Sequence, residues 1–277
     1  MASLLALAAA LMWGAGDFFA GIATRRIGVL AVLAISEAIG LAGVAVWVVV
    51  AGDPFPGVQE LLPAAAGGVA GIIGLAALYR GFAVGAMGIV APISAASPLV
   101  PLAVDTAHGI TPGALQWLGV ACVVGGIVVL SRESSPAGGQ KVAAGVGLAV
   151  VAALGFGAFI VGLDAGSDKS APWAVVAARG ASLAVVLVVV AVTSTSLAAP
   201  RRLWPMLATV GVFDTAANVA VAFATTEGAA GIVAVLSALY PVVTIVLARI
   251  LLDERLTASR RVGGAITLAG AALVAAG

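Results

Sequence analysis

The sequence predicts an all-α integral membrane protein of ten transmembrane helices, arranged as two inverted five-helix repeats. Three observations carry that fold class. First, 62% of the 277 residues are hydrophobic and only 9% are charged, with a mean hydropathy of +1.21. A soluble domain carries about 25% charged residues, so this chain has too little polar surface to face water all round. Second, a sixteen-residue stretch is written twice: GAMGIVAPISAASPLV from Gly85 returns as GAAGIVAVLSALYPVV from Gly228, at an offset of 143. Ten of the sixteen pairs are identical, and the matches hold a Pro, a Ser, two Gly and an Ile in one register. Third, the charge of the connecting loops changes sign between the two copies.

A spanning helix needs about 20 apolar residues. Ten segments meet that: Ser3–Ala23, Leu30–Val50, Leu62–Phe82, Met87–Thr106, Gly113–Leu130, Val142–Leu163, Pro172–Val192, Leu203–Thr225, Ala229–Leu251 and Val262–Ala276. Their apolar runs are continuous rather than alternating, which selects helices over a barrel. The first run lacks a basic leader and contains Asp17, so it is expected to be a retained helix rather than a cleaved signal. RESSPAGGQK, residues 132–141, is the longest polar interruption. It divides the chain into a first repeat over 1–131, a linker over 132–141 and a second repeat over 142–277.

Five helices is an odd number, so two halves joined directly enter the membrane with opposite orientations. The loops agree. Arg25 and Arg26 follow the first span, whereas Asp164, Asp168 and Lys169 close the sixth. Asp53 and Glu60 follow the second, whereas Arg201 and Arg202 follow the seventh. Nearly all the basic residues fall at odd-numbered connections, which places those connections in the cytoplasm and both termini outside.

Composition also excludes several functions. A net charge of +1 leaves no nucleic-acid footprint. A single Cys122 and a single His108 give neither a disulfide nor a metal-ligand set. No nucleophile–base cluster and no phosphate-binding GxxxxGK[ST] motif is present, so no catalytic residue, metal or cofactor is expected.

Several motifs resemble those of the drug/metabolite transporter superfamily, in particular its EamA-type family of ten helices in two five-helix halves. They are Trp13-Gly14 in the first span, APISAASPLVPL from Ala91, and the run from Ser237 to Val274. That last run holds Pro241, then Asp253-Glu254-Arg255-Leu256-Thr257, then a Gly-rich final helix. The first half departs from the pattern with AHGITPG from Ala107. The resemblance implies a multi-pass cell-membrane carrier that moves a small metabolite or drug by alternating access, with export the expected direction. It also implies a cavity lined by spans one to four and six to nine, with five and ten peripheral. The competing readings are a channel and a receptor-like binding protein, with a monomer and a homodimer both compatible.

The candidate site follows from charges placed where lipid would penalise them. An Asp or Arg at the centre of a span costs about 2.5–3.5 kcal/mol on insertion scales. Four qualify: Asp17, Glu37, Arg179 and Asp214. Three carboxylates against one guanidinium leave surplus acid, which suits a coupling proton or a cationic or zwitterionic substrate. Counting residues from the helix starts puts Asp214 near the midplane and Asp17 and Glu37 towards the cytoplasm. Arg179 falls on the opposite side of the midplane, so a direct Glu37–Arg179 pair is not expected and Asp214 or Asp17 is the nearer partner. Asn218 lies one turn beyond Asp214 on the same helix face. Trp13 and Tyr240, with Tyr79, Phe82, Phe156 and Phe213, are the aromatic candidates to line the cavity. Pro98 and Pro241, equivalent under the repeat, are expected to kink gating helices. Gly67, Gly71 and Gly74 are expected to mark close helix contacts.

Overall fold

A computed structural model describes residues 1–84, 93–94, 96–131, 139–251 and 258–277. The repeat residues 85–92 with Pro92, most of the linker (132–138) and the Asp253–Arg255 turn lie outside the described residues. Gly139–Lys141, assigned to the linker above, belong to a helix.

All secondary structure among the described residues is helical. The first half contributes α1 (Ala2–Thr24), α2 (Val29–Ala51), α3 (Val58–Val84), α4 (Leu99–Ala107) and α5 (Ala114–Ser131). The second contributes α6 (Gly139–Ser167), α7 (Ala171–Thr193), α8 (Trp204–Glu227), α9 (Ala230–Ser237), α10 (Tyr240–Leu251) and α11 (Ala258–Ala276). Seven stretches are long and apolar enough to cross a membrane, α9 and α10 counting as one; α5 and α11 carry shorter apolar stretches, Ala114–Val129 and Arg261–Ala276. The ten-span expectation is therefore met in seven places by length and composition. The fourth span is described only in part.

Local chemistry sets the helix ends. Ser170 caps α7, its Oγ accepting the Trp173 N–H at 3.3 Å, with Pro172 in the first turn where no amide partner is lost. Gly52 ends α2 in the left-handed region at φ 65°, and Ser194 ends α7 the same way at φ 50°. Both helices have 23 residues, and their starts, ends and caps correspond at an offset of 142. The ninth span is broken rather than kinked: α9 ends at Ser237 and α10 begins at Tyr240. Pro241 thus sits in the first turn of a new helix, and Pro98 immediately precedes α4. At such positions a proline costs no interior hydrogen bond.

The most extensive packing joins the halves to one another: α3 lies against α6 and α7, α1 against α8 and α10, and α5 against α11. Glycines make these contacts possible, as small residues do in membrane bundles. A Cβ on Gly14 of α1 would lie 2.6 Å from the carbonyl oxygen of Tyr240. A Cβ on Gly157 of α6 would lie 2.7 Å from that of Ser97. These are repeat-equivalent contacts. So are Gly68 against the carbonyl carbon of Ala178 (2.7 Å) and Gly211 against the carbonyl oxygen of Ser36 (2.5 Å). In both of these pairs the contact from the first half to the second is returned from the second to the first, the self-complementarity of a two-fold relation. Gly67 and Gly74 behave as expected, facing Gly162 and Gly155 at 3.1 and 3.2 Å, and Gly71 meets Phe159.

Candidate functional site

A cavity of about 610 Å³ lies between the halves. All seven candidate binding residues line it, and so do both candidate gating prolines, Pro98 and Pro241. Four helices supply the charges. Asp17 comes from α1, Glu37 from α2, Arg179 from α7 and Asp214 from α8, each well inside its helix.

Arg179 is the hub. It is 3% exposed, and its two terminal nitrogens are divided between two carboxylates. Nη1 donates to Glu37 Oε1 at 2.8 Å, and Nη2 donates to Asp214 Oδ2. The second Glu37 oxygen, Oε2, accepts the Ser182 hydroxyl at 2.8 Å. Direct Glu37–Arg179 pairing corrects the sequence expectation. Each residue is the ninth of 23 in its helix, about 4.5 Å short of the middle. Counting Cα positions leaves them apart, but two of the longest side chains reach across that offset. Ser182 was not singled out from the sequence. It lies three residues after Arg179, on the same helix face, and that spacing was the available signal.

The acids are not equally placed. The Glu37 side chain is 11% exposed and that of Asp214 is 38%. Asp17 is open to the cavity. Among the described residues no cation pairs with it, and the charge it faces is the like-charged Asp214.

Aromatic rings bound the space. Trp13 Nε1 donates to Asn218 Oδ1 at 3.0 Å, which fixes the indole and ties α1 to α8. Tyr240 stands edge-on to Trp13 with centroids 6.4 Å apart at 80°. Thr244 Oγ1 donates to the Gly14 carbonyl at 3.0 Å, holding α10 against α1. Phe156 and Phe159 line the α6 side. One residue of α5, Ile127, also reaches the cavity, so the fifth helix is not wholly peripheral. No described residue of α11 lines it. The side chains of Tyr79 and Phe82 lie outside the described residues, and Phe213 does not line the cavity.

The two ends of the cavity differ. Ala20 and Thr24 at the end of α1, Val29 at the start of α2, Leu78 late in α3 and Ile127 late in α5 all line it. Those helix ends lead to odd-numbered connections, and Val29 is exposed. At the other end α4 closes on α9. Asp105, buried, accepts the Gly231 N–H on Oδ2 at 2.6 Å, and a Cβ on Gly231 would lie 2.7 Å from the Cα of Leu102. The connection after α2, also even-numbered, is clasped to the start of α7. Ser170 Oγ donates to Asp53 Oδ2 at 2.9 Å, and Trp173 Nε1 donates to the Asp53 carbonyl at 3.0 Å.

The model of the EamA-like transporter family matches the chain twice, over residues 1–132 and 143–276. These two matches meet at the polar stretch that separates the halves. No curated protein matches the chain significantly. A solved structure, described only as a crystal structure of a protein, superposes with a TM-score of 0.80 at 17% identity, covering 98% of this chain and 95% of that one. A likeness at that identity shows a shared fold and nothing about substrate.

Proposed function

Because the chain belongs to the EamA-like transporter family, whose members are membrane transporters rather than enzymes, we propose that it is a secondary transporter working by alternating access, with the interhelical cavity as its substrate site. The carrying observation is the coincidence of that cavity with the charged and aromatic residues of four helices from both halves. A site at the interface between repeats, near the middle of the spans, is where rocking of one half against the other alternates access. We read ten spans in two inverted halves; the mirrored glycine contacts and the odd number of helices per half support this. With the odd-numbered connections in the cytoplasm, the cavity is open to the cell interior and shut outside by the α4–α9 contact. That conformation loads from the cytoplasm and fits an exporter. Pro98 and Pro241 mark the breaks where α4 and α10 would swing.

The test is counterflow in proteoliposomes over a panel of amino acids, nucleosides and amines, with and without a pH gradient. A carrier gives saturable flux that is accelerated by substrate on the opposite side. Flux that rises linearly with concentration and shows no counterflow would make the protein a channel and defeat the reading. A dependence of uptake on the imposed pH gradient would identify a coupling proton.

A further inference from the structure

The cavity's charge balance narrows its substrate. Among the residues that line it, Asp17, Glu37 and Asp214 are acidic and Arg179 alone is basic, a formal surplus of two negative charges. The guanidinium is already committed. Its terminal nitrogens bond Glu37 and Asp214, and its Nε is fully enclosed, out of reach of a ligand carboxylate. A substrate carboxylate would therefore enter a site with three carboxylates and no available cation. The surplus acid stands together: Asp17 is open to the cavity, Asp214 is half-exposed beside it, and the two repel. The same cavity is lined by Trp13, Tyr240, Phe156 and Phe159, whose ring faces attract cations as well as apolar surface. Among the described residues no three or more His, Cys, Asp or Glu stand together as a metal-ligand group.

We propose that the cavity takes an organic amine, its ammonium seated between Asp17 and Asp214 and its hydrophobic body against the Trp13–Tyr240 corner and the two phenylalanines. The cavity's volume falls within the range of about 300–1,000 Å³ that holds drug-sized molecules. Glu37 has a different role in this arrangement. It and Ser182 anchor Arg179, which holds one oxygen of Asp214 and leaves the other to the ligand. The proposal rests on the transporter reading above, and it is tested by binding so that the two can fail separately.

Three probes share one benzyl body and differ in headgroup: phenethylamine, phenylalanine and phenylacetate. Binding to the purified protein in detergent is measured by calorimetry. The expectation is saturable binding of phenethylamine, with phenylalanine weaker by roughly tenfold or more and phenylacetate not bound, since a charge-assisted contact is worth about 1.5–3 kcal/mol. Asp17→Asn should weaken phenethylamine by a similar factor, and Asp17→Glu should restore most of it; a thermal melt checks that both variants fold. Phenylalanine or phenylacetate binding as tightly as phenethylamine would overturn the proposal. So would no binding of phenethylamine, or affinity for it that is unchanged in Asp17→Asn. Counterflow of the same three probes separates the readings. Phenethylamine binding without saturable flux keeps the amine site and removes the carrier. Saturable flux indifferent to the headgroup keeps the carrier and removes the amine site.

Discussion

Replacing Arg179 with Met removes the charge on which the centre of the bundle is built. Glu37 is 8% exposed and would lose its 2.8 Å partner, keeping only the Ser182 hydroxyl. Breaking a buried ion pair by removing one partner costs about 3–5 kcal/mol, because an uncompensated charge stays behind. The Asp214 side chain is 38% exposed to the cavity, so its loss of the same partner adds about 1 kcal/mol at most. For a chain of this size each kcal/mol moves the melting temperature by about 2–4 °C, which gives a drop of roughly 6–24 °C. The double variant Arg179→Met with Glu37→Met takes out the stranded charge together with its partner and should recover most of that loss. Circular dichroism melts in detergent, at one protein and detergent concentration, make the comparison. Two results would refute the reasoning: a single variant within about 2 °C of wild type, or a double variant no more stable than the single.

Three further outcomes follow from the same geometry. Gly211→Ala would drive a methyl into the Ser36 carbonyl, whereas Gly180→Ala meets open space; a melt should show a loss of about 1–3 kcal/mol for the first and none for the second. Pro98→Ala and Pro241→Ala should each alter transport rate with melting temperature unchanged, because neither proline sits where a helix interior needs an amide; unchanged rates in both would make them static features of the breaks. In a Cys122→Ser background, an impermeant thiol reagent applied to intact cells should label Gly109→Cys and spare Ser196→Cys, and the opposite pattern would reverse the assigned orientation.

Much of this was legible in the sequence because the bilayer imposes its rules locally. Apolar runs of span length marked α1, α2, α3, α7 and α8 to within a few residues, and lipid's penalty on charge picked out Asp17, Glu37, Arg179 and Asp214 before any contact was known. Other features were hidden for physical reasons. Depth counted along Cα atoms separated Glu37 from Arg179, since such counting ignores the length of the side chains that join them. Ser182 carried no signal beyond its spacing from Arg179, because a serine in a span is cheap and common. Prolines announce a disturbed helix, but Pro241 marks a break between α9 and α10 rather than a kink, and only the backbone reveals which. Ile127 reaches the cavity from α5 through a tertiary placement that periodicity does not encode.

The reciprocal glycine seams also bear on how such a chain is made. Within the first half α1 and α2 scarcely touch, and the surfaces of Gly14, Gly67, Gly68 and Gly74 find their partners on helices that are synthesised later. At about 5–20 residues per second, the second half trails the first by roughly 7–28 s. During that interval the glycine faces of the first half lack their partners and Glu37 lacks its guanidinium. Closure of a half in that condition waits for α7, which brings Arg179 to Glu37, and for α6, α8 and α10, which meet its glycine faces.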